Sequence, residues 1–236
     1  MSSLFFNKSY KWFFLVVFFA KNLFAGDMEA IFTTIYKKHL WGGGNETVSG
    51  SGSLLKNTNN IRECIPHIIK RYNITSILDI PCGDFNWMKA VDLEGVQYIG
   101  ADIVLDLINK NQSLYGDSNK IFFHLDATKD PLPKADMILC RDLFLHIPIK
   151  EVMNCVVNFK KSGAKYLLVN TYLDETKNKD KETSGSWRHL NLQIEPFNFP
   201  EPIEAIKEGV HSNYKKCLAL WCLDDIDIDK ERDDKI

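Results

Sequence analysis

The stretch Leu78 to Met88, LDIPCGDFNWM, decides how the rest of this chain is read. Its first residues complete the apolar run SILDI (76–80), which predicts a short buried strand. A tight turn follows, with Pro81 and Cys82 where a dinucleotide-binding loop carries glycines, and Gly83 as its one glycine. An acid precedes the turn (Asp79) and another follows it (Asp84), before FNWM opens an expected helix. A pyrophosphate needs the G-x-G-x-x-G backbone and a helix N-terminus free of negative charge. On this reading Asp84 repels such a group, and the turn suits a ligand with a positive end and no phosphate.

Outward from the turn the chain alternates between short apolar runs and helical periodicity. Leu54 to Tyr72 has apolar residues at helical spacing, with Pro66 expected to kink it or begin a new turn. Further strands are expected at GVQYIGADI (95–103), KIFFHLDA (120–127), ADMILCRD (135–142), KYLLVNTY (165–172) and CLALWCL (217–223). A helix is expected from Val104 to Tyr115, and another begins at Pro148 and ends at Gly163. Nearly continuous apolar strands joined by helical crossovers predict an α/β fold, a doubly wound, mostly parallel sheet covered on both faces. The glycine-rich segment WGGGNETVSGSGS (41–53) reads either as a plain flexible loop or as one that folds over a ligand. The charged run 174–186 reads as a surface loop.

In such a sheet, ligands bind beyond the carboxyl ends of the strands. Every central strand delivers an acid to that edge: Asp79, Asp102, Asp126 and, after Arg141, Asp142. Asp102 lies 23 residues beyond Asp79 (102 − 79), near the spacing at which an acid meets ribose hydroxyls. Asp126 is placed to accept from an adenine amino group. Adenine, ribose and a cationic, phosphate-free end together describe S-adenosylmethionine.

The chain resembles the class I S-adenosylmethionine-dependent methyltransferases. More narrowly, it is similar to small bacterial-type methyltransferase-domain proteins, through WGG at Trp41, SGSGS at Ser49, LDIPCGDFNWM at Leu78, YIGADI at Tyr98, LCRDLFLHI at Leu139 and NLQIEPFNFPEP at Asn191. The resemblance spans roughly 35–223. It implies a Rossmann-like seven-stranded sheet with an N-terminal helical and glycine-loop cap. It also implies S-adenosylmethionine as cofactor: Asp79, Pro81 and Gly83 around the methionine end with Asp84 nearby, Asp102 on the ribose, and Ile103 packed on the adenine. Asp126 and Ala127 fall at the adenine edge, and Arg141 beside the amino-acid carboxylate. The glycine loop at Trp41 is expected to close over the cofactor.

Methyl transfer needs an aligned nucleophile and, for a hydroxyl acceptor, a general base. Asp142 and His146, four residues apart, are the candidates, set against capping and structural roles for the same residues. Trp41, Asn170, Trp187, Arg188 and Asn191 are the candidate acceptor contacts. No metal site is expected. The expected reaction is methylation of a hydroxyl, or another nucleophile, on a small molecule or glycan. An inactive nucleoside-binding module and an NAD-type oxidoreductase are the alternatives.

The chain has 236 residues and a net charge of -2 with no basic stripe, which argues against a nucleic-acid partner. None of its six cysteines forms a C-x-x-C pair, and they are expected to be reduced. Residues 1–26 form a hydrophobic leader whose apolar run from Trp12 to Ala20 is too short to span a bilayer. It resembles a signal peptide with cleavage after Ala25, or a membrane-touching segment. A methyltransferase domain (27–223) and an acidic tail (224–236) complete the expected organisation. The cofactor favours a cytoplasmic or membrane-associated location, with export by a signal peptide as the open alternative.

Overall fold

A computed structural model describes residues 27–208 and 216–227. The leader and residues 228–236 of the tail lie outside them. Helix α1 (Met28–Lys37) begins where the Asp27 side chain accepts from the Ala30 N–H. Helix α2 (Leu55–Tyr72) runs through Pro66 and stops at Asn73, in the left-handed conformation. Strands β1 (Ser76–Asp79), β2 (Gln97–Asp102), β3 (Lys120–His124), β4 (Met137–Cys140) and β5 (Tyr166–Tyr172) are parallel, with α3 (Leu105–Tyr115) and α4 (Ile149–Lys161) as crossovers. Strands β6 (Glu204–Lys207) and β7 (Lys216–Cys222) complete one seven-stranded sheet of order β3-β2-β1-β4-β5-β7-β6, with β7 antiparallel to both its neighbours.

The period-2 alternation of each strand divides the core. Leu78, Ile138, Leu167 and Val169 point to the face covered by α4 through Val152, Val156 and Phe159, and by Phe32 of α1. Ile77, Met137, Leu139 and Leu168 point to the face covered by α2 through Ile61, Ile65 and Ile68. Each fully buried side chain of this size contributes about 1.5–3 kcal/mol relative to leaving it in water. Cys64, Cys82, Cys140, Cys155 and Cys222 are free thiols. The chain leaves β1 toward β2 on one side and β4 on the other, which opens the crevice at the carboxyl edge.

Three local expectations are corrected. No α-helix follows the first turn: FNWM leads only into one 3₁₀ turn, Met88–Ala90, because Phe85, Trp87 and Met88 all bury into the core and leave no polar helix face. Strand β3 ends at His124, so Asp126 sits in the turn beyond it. The edge strand β6 had shown no signal in the sequence; only Ile206 of its residues is buried. Packing also continues beyond 223, since Ile226 is fully buried and its carbonyl accepts from Lys160 Nζ. No helix among the described residues is long and apolar enough to cross a membrane.

Candidate functional site

The turn 80–85 is built around a close approach. Gly83 has φ +55, and a Cβ there would lie 2.5 Å from Ser49 Oγ of the glycine loop. The loop is therefore seated directly on the turn, and Asp84 holds it. The Asp84 carboxylate accepts from Thr47 Oγ1 (2.8 Å), the Val48 N–H (2.8 Å) and Ser49 Oγ (3.1 Å), and its own N–H donates to Ser49 Oγ (2.8 Å). Asn86 adds a second anchor, donating to Glu46 Oε1 and to the Ser53 carbonyl. Segment 41–53 is thus pinned to the turn by side-chain and backbone hydrogen bonds.

Beneath the loop lies a cavity of about 390 Å³. Pro81, Cys82, Gly83, Asp102 and Val104 line it on one side of β1, Arg141, Asp142, His146 and Lys216 on the other, and Trp41, Trp187 and Tyr36 close over it. A smaller hollow of about 20 Å³ shares Phe32 and Leu143 with this cavity and is lined by Ile103, Asp126 and Ala127.

Asp102 accepts from the Gly83 N–H (3.1 Å) and the Val104 N–H (3.0 Å). Burial pushes its carboxyl up to about 6. No cationic side chain is bonded to it among the described residues.

Across β1, four charges meet. Arg141 lies 3.1 Å from Asp142 and 2.8 Å from Glu208, and Lys216 lies 2.6 Å from Asp142 and 3.2 Å from Glu208. Arg141 also donates to the Gly52 carbonyl (3.0 Å) and stacks over Trp87, while its Nε has no partner among the described residues. The Asp142 backbone is left-handed (φ +61), held by its N–H donating to Asn170 Oδ1. Burial works to raise the Asp142 carboxyl, but Arg141 and Lys216 overcome it and hold the group far below the usual carboxylate range. The His146 ring packs against Trp41 at a tilt of 37° (centroids 4.7 Å apart), and burial pushes its imidazole below the ordinary value.

Several expected site residues stand elsewhere. Asp84 faces the glycine loop, away from the cavity. Asp79 is buried behind the turn and accepts from the Tyr98 hydroxyl (2.6 Å). Asp126 borders the small hollow, but its Oδ1 accepts from the Thr128 N–H and hydroxyl and its Oδ2 pairs with Lys129. Asn170 lies under the floor, bonded to Asp142 and Glu208. Arg188 turns inward to the Ile147 carbonyl. Asn191 is spent on the Glu175 carbonyl, Asn178 Oδ1 and the Gln193 N–H. Asp126 has its partner two residues on, but Asp84 and Arg188 find theirs 37 and 41 residues away, which a strand-end position alone does not reveal. Glu208, Lys216 and Tyr36 were missed. Glu208 is 67 residues from Arg141, and a lone acid after an edge strand carries no sequence signal.

No family model matches the chain, and no curated protein is similar to it in sequence. Solved structures are similar in fold. Human N-acetylserotonin methyltransferase in complex with SAM matches at TM-score 0.58 and 15% identity, over 90% of this chain and 67% of that one. Burkholderia thailandensis 1,6-didemethyltoxoflavin-N1-methyltransferase, with its acceptor and S-adenosylhomocysteine bound, matches at 0.56 and 8%, over 93% and 92%. Magnesium protoporphyrin IX methyltransferase from Synechocystis PCC 6803 with bound SAM matches at 0.54 and 13%, over 83% and 97%. At these identities the likeness establishes the architecture: this chain has the Rossmann-like methyltransferase fold.

Proposed function

We propose that the protein is an S-adenosylmethionine-dependent methyltransferase acting on a hydroxyl of a small molecule. One observation carries the cofactor assignment: the charge balance of the cavity. Arg141 and Lys216, the cations that line it, are matched by Asp142 and Glu208, which leaves the buried Asp102 carboxylate in excess. With no α-helix behind the Gly83 turn there is no helix dipole aimed at the ligand either. Among the described residues a pyrophosphate finds no unmatched cation here, whereas a cationic nucleoside finds an unmatched carboxylate. This disfavours a nicotinamide dinucleotide for a sounder reason than repulsion by Asp84, which points elsewhere.

The residues fit the cofactor. Asp102 would accept from the ribose hydroxyls, and Ile103 and Ala127 would bracket the adenine from the smaller hollow. The unpartnered Arg141 Nε and the Gly50–Ser53 backbone would hold the amino-acid end. When bound, S-adenosylmethionine supplies a methyl group already activated by its sulfonium. The chain's own task is then to align the acceptor and receive its proton. His146 suits this: it lines the cavity and burial keeps it neutral near pH 7. Asp142, held ionised by two cations, is too weak a base and serves instead to position Lys216 and Arg141. The seated glycine loop would exclude water.

Isothermal titration tests the reading. S-adenosylmethionine is expected to bind and NAD not to; NAD binding without S-adenosylmethionine binding overturns it. Release of S-adenosylhomocysteine with an acceptor distinguishes an enzyme from a pure binder.

A further inference from the structure

The acceptor side of the cavity has a distinct chemical character. Two stretches distant in sequence converge there: α1 with Trp41 just after it, and the segment 185–187. Trp41 Nε1 donates to the Gly185 carbonyl (3.1 Å), and a Cβ on Gly185 would lie 2.9 Å from Ile35 Cδ1. This contact brings Tyr36, Trp41, His146 and Trp187 to one side of one cavity. Trp187 is 54% exposed at its rim, held edge-on by His189 (4.6 Å) and Tyr172 (6.1 Å). A large apolar ring kept in place at a cavity mouth and left half in solvent is a surface prepared for contact.

The charged groups on this side are already paired. Lys216 and Asp142 face each other, so neither is free to match a charged acceptor. Asn170 and Asn191, side chains that would hydrogen-bond a ring of sugar hydroxyls, are turned into the protein, and Arg188 reaches the Ile147 carbonyl through one nitrogen. A pyranose stacks on tryptophan too, but its specificity comes from such polar partners, and Asn170, Arg188 and Asn191 do not line the cavity.

We infer that the acceptor is a flat, uncharged aromatic compound bearing a ring hydroxyl, which lies between Trp41 and Trp187 with its hydroxyl toward His146. This rests on the methyltransferase reading above and narrows its acceptor. In the reaction the acceptor O–H bond breaks as its oxygen bonds the methyl carbon; the proton passes to His146 and the methyl carbon–sulfur bond breaks.

The test uses the full chain saturated with S-adenosylhomocysteine, whose own binding is measured first. 2-Naphthol, 2-naphthyl phosphate and methyl α-glucopyranoside are then titrated calorimetrically, and 2-naphthol methylation is followed with S-adenosylmethionine. 2-Naphthol is expected to bind at least about tenfold more tightly than either competitor, the scale set by ring stacking plus burial. Trp187→Ala should lose about tenfold in KM for 2-naphthol while Trp187→Phe retains most of it, both with unchanged cofactor affinity. Cofactor binding combined with preference for the glucoside or the phosphate, or with an unchanged KM in Trp187→Ala, overturns this inference and leaves the parent reading standing. Failure to bind S-adenosylhomocysteine sinks both.

Discussion

Asp84 and Ser49 hold each other in both directions: the Ser49 hydroxyl donates to Asp84 Oδ1 at 3.1 Å and accepts from the Asp84 N–H at 2.8 Å. This pair ties the glycine loop to the first turn of the sheet, and the wall of the cavity depends on it. Asp84→Ala removes acceptors for four donors at once, the Asn86 N–H included. Hydrogen bonds to a charged group are worth about 1.5–3 kcal/mol each, so S-adenosylmethionine affinity is expected to fall at least about tenfold. The loop should also become cleavable by protease between 41 and 53. Calorimetry and limited proteolysis check both; unchanged affinity with a protected loop contradicts the latch.

Asp102 should make cofactor affinity depend on pH. Its carboxyl is pushed up to about 6, so it is largely protonated at pH 5 and ionised at pH 7.5. Binding of the cationic cofactor is expected to strengthen across that interval, and Asp102→Asn should flatten the dependence and weaken binding about tenfold at pH 7.5. A pH-independent wild-type Kd from 5 to 7.5 speaks against the assignment.

Asp79 should affect stability. Burial raises its carboxyl to about 7, well above the ordinary carboxylate range, so the folded chain retains a proton that the unfolded chain releases. The contribution is most favourable below about pH 4 and is lost as pH rises toward 7. Asp79→Asn keeps an acceptor for Tyr98 and removes the titration. It is expected to stabilise the ligand-free protein by about 1–3 kcal/mol at pH 8 and to be near neutral at pH 4. Thermal denaturation at the two pH values measures this; a loss of stability at pH 8 contradicts it.

His146 and Asp142 should separate kinetically. His146→Gln is expected to lower kcat by about 10²–10⁴-fold with cofactor affinity unchanged. The inflection in the wild-type rate should fall below the ordinary imidazole value, because burial lowers the His146 ring. An inflection in the rate near or above pH 7 assigns the base to another group.

Glu208→Gln leaves Arg141 and Lys216 facing Asp142 alone. Breaking such a buried pair typically costs about 3–5 kcal/mol, which urea denaturation reads directly. A change under about 1 kcal/mol would show that the charge cluster is solvated rather than buried.

What the amino-acid order determined by itself is the part governed by local periodicity and backbone freedom. The runs at 76–80 and 165–172 are legible as strands because uninterrupted apolar residues have no other place than a sheet covered on both faces. Gly83 is legible as a turn, and Asp102 as a strand-end acid facing the crevice, because the Cβ direction follows from strand geometry. Tertiary structure alone decided what each acid faces. Asp84 and Asp102 stand at similar ends of neighbouring turns, yet one bonds a loop more than thirty residues upstream and the other lines the cavity. Arg141 finds Glu208 only because β6 and β7 add on beside β5. A carboxylate goes to whichever donors the folded chain brings within about 3 Å, and that distance is set by packing rather than by position along the sequence.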